Sequence, residues 1–168
     1  AAKKSNNGSA QVFNPKMRRT RASPLDLETD LRRALNRDEM RLHYQPIISL
    51  ETRRLCGFEA LLRWDRGERG LMSPIDFVPV AEEIGLIGEL GNWVLDTACA
   101  QMRDWHSQQA SSELELSVNL SSRQFSQSDL VEQIMTALGT LDPAKLKLEI
   151  TESALMDRAD RTTAMLRH

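Results

Sequence analysis

The sequence predicts an α/β fold built on a largely parallel sheet. Short runs with period-two apolar alternation recur along the chain, and segments with a helical apolar period separate them. After an initial pair of strands joined by a short polar turn, each later strand is followed by a helix, the pattern of a parallel sheet with crossover helices.

The elements follow in order. Residues 1–22, rich in Asn, Ser, Gly and basic side chains, read as a tail or linker. Ser23 as cap and Pro24 at the first helical position start a helix with Leu27, Leu31, Ala34 and Leu35 on its apolar stripe. RLHYQPIISL has strand composition, Leu42, Tyr44, Ile48 and Leu50 alternating with His43, Gln45 and Ser49, and Pro46 places it at an edge or ends it early. LCGFEALLRW follows after the turn ETRR. As a strand it puts Phe58, Ala60, Leu62 and Trp64 on one face and Glu59, Leu61 and Arg63 on the other. As a helix it would make Glu59 and Arg63 a plain surface ion pair. The short turn between two apolar runs favours a hairpin.

SPIDFVPVAEEIG is a helix with Ser73 as cap, Pro74 first inside and Gly85 as stop. A longer helix runs from about Glu89 to Ser107 with Leu90, Val94, Ala98, Met102 and Trp105 on one stripe. ELELSVNLS is a strand with Leu114, Leu116, Val118 and Leu120 opposed to Ser117, Asn119 and Ser121. DLVEQIMTALG is a helix stopped by Gly139, LKLEITES a strand, and a last helix begins near Asp157. Four strands are expected in all.

Composition narrows the function classes. No apolar run approaches the roughly 20 residues of a membrane span, and the N-terminus has no secretory h-region. Cys56 and Cys99 lack metal-ligand spacing and read as buried free thiols. Six basic residues precede Asp26, leaving 16 of the 22 basic side chains against all 24 acidic ones in the remainder. The basic arm lacks the aromatic interleaving of a nucleic-acid binder, so a solvated linker is expected and no nucleic-acid polymer as partner.

The chemistry concentrates on the strands. Glu59, Asn119 and Glu149 each carry an oxygen near the C-terminal end of a strand, opposite its best apolar row. In α/β barrels and open sheets, active sites lie beyond those ends. Two carboxylates and a carboxamide are hard ligands, suited to Mg²⁺ or Mn²⁺. A divalent cation also removes the cost of gathering like charges. Arg63 lies about 13 Å along the strand from Glu59, a natural spacing for a metal at one end of a ligand and an arginine fork at the other. The plain alternative pairs Arg63 with Asp65 or Glu68.

Taken in order, YQPI at 44–47, GFEALLRW at 57–64, SVNLSSRQF at 117–125 and LKLEITES at 146–153 resemble the EAL-domain family, bacterial cyclic-di-GMP phosphodiesterases. The similarity runs from about Ser23 to the last residue, and the preceding tail resembles the end of a GGDEF diguanylate cyclase domain. The resemblance implies a TIM-like (β/α)8 barrel with an antiparallel first strand. It further implies Glu59, Asn119 and Glu149 as metal ligands, with Glu59 and Glu149 catalytic, Gln45 and Arg63 at the dinucleotide, and Glu152 supporting a loop. A two-metal site would open one phosphodiester to give the linear dinucleotide pGpG. The implied setting is the bacterial cytoplasm, with an upstream GGDEF or sensor domain, a possible homodimer and room for a membrane tether in the parent protein.

Such a barrel needs about 250 residues, so about its first half is expected here. No Asp-Asp pair occurs in the chain, whereas the resemblance implies a paired-aspartate motif, a lysine and a later glutamate. This polypeptide alone is therefore expected not to turn over cyclic-di-GMP. A non-catalytic cyclic-di-GMP receptor and a protein-interaction remnant are the competing classes.

Overall fold

The computed structural model describes residues 24–108 and 113–150. The expected tail, the cap Ser23, Glu152 and the last helix lie outside them. Helix α1 spans Pro24–Ala34 and ends one residue short of the expected stripe at Leu35. Strands β1 (Met40–Ile48) and β2 (Leu55–Asp65) form the hairpin, so GFEALLRW is a strand. A 3-10 turn at Gly67–Arg69 leads into a two-residue strand, β3 (Leu71–Met72), which alternation is too short to announce. Helices α2 (Pro74–Glu83) and α3 (Ile87–Ser107) follow. Then come β4 (Glu115–Leu120), the short α4 (Ser122–Phe125), α5 (Leu130–Leu138) and β5 (Leu146–Ile150).

Five strands share one sheet in the order β1-β2-β4-β5, with β3 beside β2. β1 runs antiparallel to β2 from Met40↔Trp64 to Ile48↔Leu55. β2–β4 and β4–β5 are parallel. Pro46 is accommodated because, among the described residues, β1 pairs only with β2, and on its other side a missing N–H costs no ladder bond. β1 therefore continues past Pro46, to a bulge at Ile47/Ile48. Leu50, expected in the strand, lies in the turn and is 96% exposed.

Even-numbered strand residues face the helices. Ala60, Leu116 and Val118 are buried against Leu95, Ala98 and Met102 of α3. A second cluster gathers Leu31, Trp64, Phe77 and Leu90 from α1, β2, α2 and α3. Leu62 and Trp93 pack against both clusters and join them into one layer. Cys99 is buried as expected, but Cys56, near the start of β2 where the hairpin register is irregular, is only half-buried.

Candidate functional site

Odd-numbered strand residues form the opposite face, and it is polar. Parallel strands usually read as continuous apolar runs because both faces are covered. Here β4 and β5 alternate instead, so this face is not built for helix packing. It carries Gln45, Glu59, Ser117, Asn119, Lys147 and Glu149 on four neighbouring strands.

The register places these groups. Gln45 is directly opposite Glu59 across the hairpin. Asn119 is level with Glu149 on the parallel pair. Glu59 is level with Ser117, two residues short of Asn119. Glu59 is thus not near the end of its strand, as expected from sequence, but in its middle: β2 continues to Asp65 by pairing with β1 and β3 beyond the point where β4 leaves it. Strand stagger of this kind accompanies the tilt of barrel strands. The offset is bridged by a side chain, for Asn119 Nδ2 donates to Glu59 Oε1 at 2.8 Å. That bond leaves the Asn119 carbonyl oxygen available as a ligand. Below this level Lys147 Nζ donates to Glu115 at 2.5 Å, and this hydrogen bond raises the lysine's pKa, holding it charged. Ser117, opposite the apolar row as expected, is only 2% exposed.

Arg63 pairs with neither Asp65 nor Glu68 among the described residues. Its Nη1 donates to the Leu62 carbonyl at 2.7 Å, while Asp65 accepts from the Gly67 amide. His43 is exposed on the same polar face, opposite Leu61. Glu152 lies outside the described residues.

The loop after Asn119 is braced by a device whose signal lies in the sequence outside the expected elements. Ser121 and Gln124 form a capping box: Ser121 Oγ accepts from the Gln124 amide and Gln124 Oε1 from the Ser121 amide, both at 3.2 Å. The S-x-x-Q spacing is its signature. Gln124 is 4% exposed, and a Cβ on Gly91 of α3 would come within 1.5 Å of its Nε2. The missing side chain at Gly91 leaves the space that the Gln124 amide occupies against α3. Beside Asn119 opens an apolar cleft of about 500 Å³, walled by Leu61, Pro74, Ile75, Val78 and Ser122 among others, with Glu82 also at its lining.

Two carboxylates and an amide oxygen suit a hard divalent cation. Among the described residues no three His, Cys, Asp or Glu side chains cluster closely enough to enclose a metal by themselves. A cation held here would need Asn119 and further ligands as well.

Comparison with known proteins shows the family and the fold. The EAL domain family model matches residues 28–168. A curated relative, the bifunctional diguanylate cyclase/cyclic di-GMP phosphodiesterase MucR of Pseudomonas aeruginosa, is 42% identical over 92% of this chain and 23% of its own length. The signaling protein YkoW of Bacillus subtilis is 36% identical over 99% of this chain and 21% of its own. This chain thus spans about a quarter or less of either relative. Among solved structures, the PaMucR phosphodiesterase in complex with c-di-GMP superposes with a TM-score of 0.80 at 43% identity, over 84% of this chain and 57% of that one. The FimX EAL domain of Xanthomonas citri in complex with c-diGMP gives 0.72 at 29% identity, over 86% and 56%. The mixed sheet with its antiparallel first strand is therefore the opening part of a TIM-like barrel, and the chain belongs to the EAL-domain family.

Proposed function

We propose that this chain supplies part of the catalytic domain of a metal-dependent cyclic-di-GMP phosphodiesterase, which opens one phosphodiester to yield the linear dinucleotide. The observation that carries this reading is the Asn119–Glu59 hydrogen bond beside the Asn119↔Glu149 register. It gathers three oxygen-bearing side chains on a polar face that packing does not need. The MucR neighbour at 43% identity, solved with c-di-GMP, supports the choice of substrate.

In this reading Glu59, Asn119 and Glu149 hold Mg²⁺ or Mn²⁺, and Glu59 and Glu149 are the catalytic carboxylates. When bound, the cation supplies Lewis acidity and a nucleophilic water. Asn119 steadies Glu59 through Nδ2 and offers its carbonyl oxygen to the metal. Gln45, opposite Glu59, presents an amide to the sugar-phosphate edge. Arg63 grips a phosphate; its Nη1 anchor on Leu62 leaves other N–H groups free for a fork. The apolar cleft beside Asn119 has the size of a ligand pocket and offers a berth for a purine. Glu152 would brace a loop beyond β5. Residues 1–22 would be the linker from a GGDEF-like domain and 23–168 the EAL part.

The chain contains no Asp-Asp pair, so metal-dependent binding without turnover is expected of these 168 residues, and hydrolysis of a longer protein that carries the paired aspartates. Calorimetric titration of c-di-GMP with and without Mg²⁺, alongside chromatography of products, tests both parts. Binding that is lost in EDTA and in Glu59→Gln supports the reading. Binding indifferent to both points to the metal-free receptor class. Absence of any binding rejects the dinucleotide as ligand.

A further inference from the structure

We infer that Arg41 joins Arg63 in a two-guanidinium clamp for phosphate. The inference rests on the dinucleotide reading above, in which the clamp holds the phosphodiester that is not at the cation.

The hairpin register sets Arg41 directly opposite Arg63. Both are odd-numbered and project from the polar face that carries Glu59. Opposed residues in an antiparallel pair lie about 5 Å apart at Cα, and like charges directly opposite are destabilising. Among the described residues nothing nearby neutralises the pair well. Arg63 meets no carboxylate among the described residues. Arg41 has Asp38 at 3.5 Å, but that carboxylate is 88% exposed, and exposed pairs contribute little.

Both guanidinium groups are nevertheless held in place. Arg41 Nη1 donates to the Asp38 and Met40 carbonyls, both at 2.8 Å, and Arg63 Nη1 to Leu62 at 2.7 Å. Each anchor uses one nitrogen and leaves Nε and the other Nη to grip an anion bidentately. Because β1 is antiparallel, its first residues meet the last residues of β2, so the pair stands at the rim beyond the Glu59–Asn119 level. Two anchored cations, one without a carboxylate partner among the described residues and one with only an exposed partner, at the mouth of a face that already gathers carboxylates suit a substrate with two separated phosphates. Arg41 lies outside the motifs that mark the family. Its signal is the cross-strand register, invisible along the chain.

Thermal melts of the full chain in inorganic pyrophosphate, against chloride at matched ionic strength, test the clamp alone. Pyrophosphate should raise Tm by mass action. The rise should be lost in Arg41→Gln and in Arg63→Gln but kept in Arg32→Gln, whose exposed partner Glu28 lies on α1. Titration of c-di-GMP then tests the occupant. Arg41→Gln should weaken binding about tenfold or more, as for a lost charged hydrogen bond. The double variant should lose less than the product of the single losses, since both groups hold one phosphate. A pyrophosphate rise unchanged in Arg41→Gln overturns the clamp. A clamp that passes in pyrophosphate while the unaltered chain ignores c-di-GMP overturns the dinucleotide as its occupant.

Discussion

Gly57→Ala tests how closely β2 and β4 approach, on which the site depends. Gly57 and Glu115 are register partners, and a Cβ at Gly57 would stand 2.2 Å from the Glu115 carbonyl oxygen. Comfortable non-bonded contact lies near 3.5 Å, so the strands must part by roughly 1 Å. The obstacle is backbone and cannot swing aside. The parallel ladder here extends only from Gly57 to Ala60, so little pairing remains to absorb the shift. Overpacking typically costs about 1–3 kcal/mol, and one weakened ladder bond adds about 1 kcal/mol. A total near 3 kcal/mol is a large part of the roughly 5–15 kcal/mol that holds a domain folded. With a urea slope of about 1.5 kcal/mol/M, the unfolding midpoint should fall by about 2 M. Gly88→Ala is the matched control, because its Cβ meets only the far end of Gln127 and it lies within α3. That variant should unfold within about 1 kcal/mol of the unaltered chain, helped by better helix propensity. Amide exchange at Glu59 and Val118 should quicken in Gly57→Ala alone. Equal midpoints for the two variants would refute the close-approach argument.

Further outcomes follow from other contacts. Ser121→Ala removes one arm of the capping box and should cost about 1 kcal/mol by urea titration. Gln124→Ala should cost more, since it also empties buried space against Gly91. Burial pushes the Tyr44 phenol from 10.0 up to about 12. Its contribution is fully present below pH 10 and is lost as pH rises from there through 12, so alkaline unfolding in that window should flatten in Tyr44→Phe. Asn119→Leu removes the donor to Glu59 and, in the proposed reading, a metal ligand with it. It should abolish Mg²⁺-dependent c-di-GMP binding in calorimetry and leave the stability read by urea titration within about 1 kcal/mol, because the bond it removes is exposed.

Local pattern carried far in this chain. Alternation in GFEALLRW and SVNLS separated the helix-facing row from the polar row, and both rows are found as read. Pro74 and Gly139 mark helix ends where φ preferences demand them. The capping box is equally local, in S-x-x-Q, but a four-residue helix shows no apolar period to announce it. β3 is silent for a related reason: two residues cannot alternate, and only the neighbouring edge of β2 makes them a strand.

Which side chains share a face follows from the order of residues, because in an extended chain successive side chains point oppositely whatever the neighbouring strand does. Their levels come from how the strands are assembled. Glu59 stands beside Ser117, Asn119 beside Glu149 and Arg41 beside Arg63. β2 and β4 are separated by two helices along the chain, so no turn sets their offset. Packing of Ala60 and Val118 against α3, with the contact that Gly57 allows at Glu115, sets it instead. Register between distant strands depends on the volume and shape of what lies between them, and the local pattern of a single strand does not contain that information.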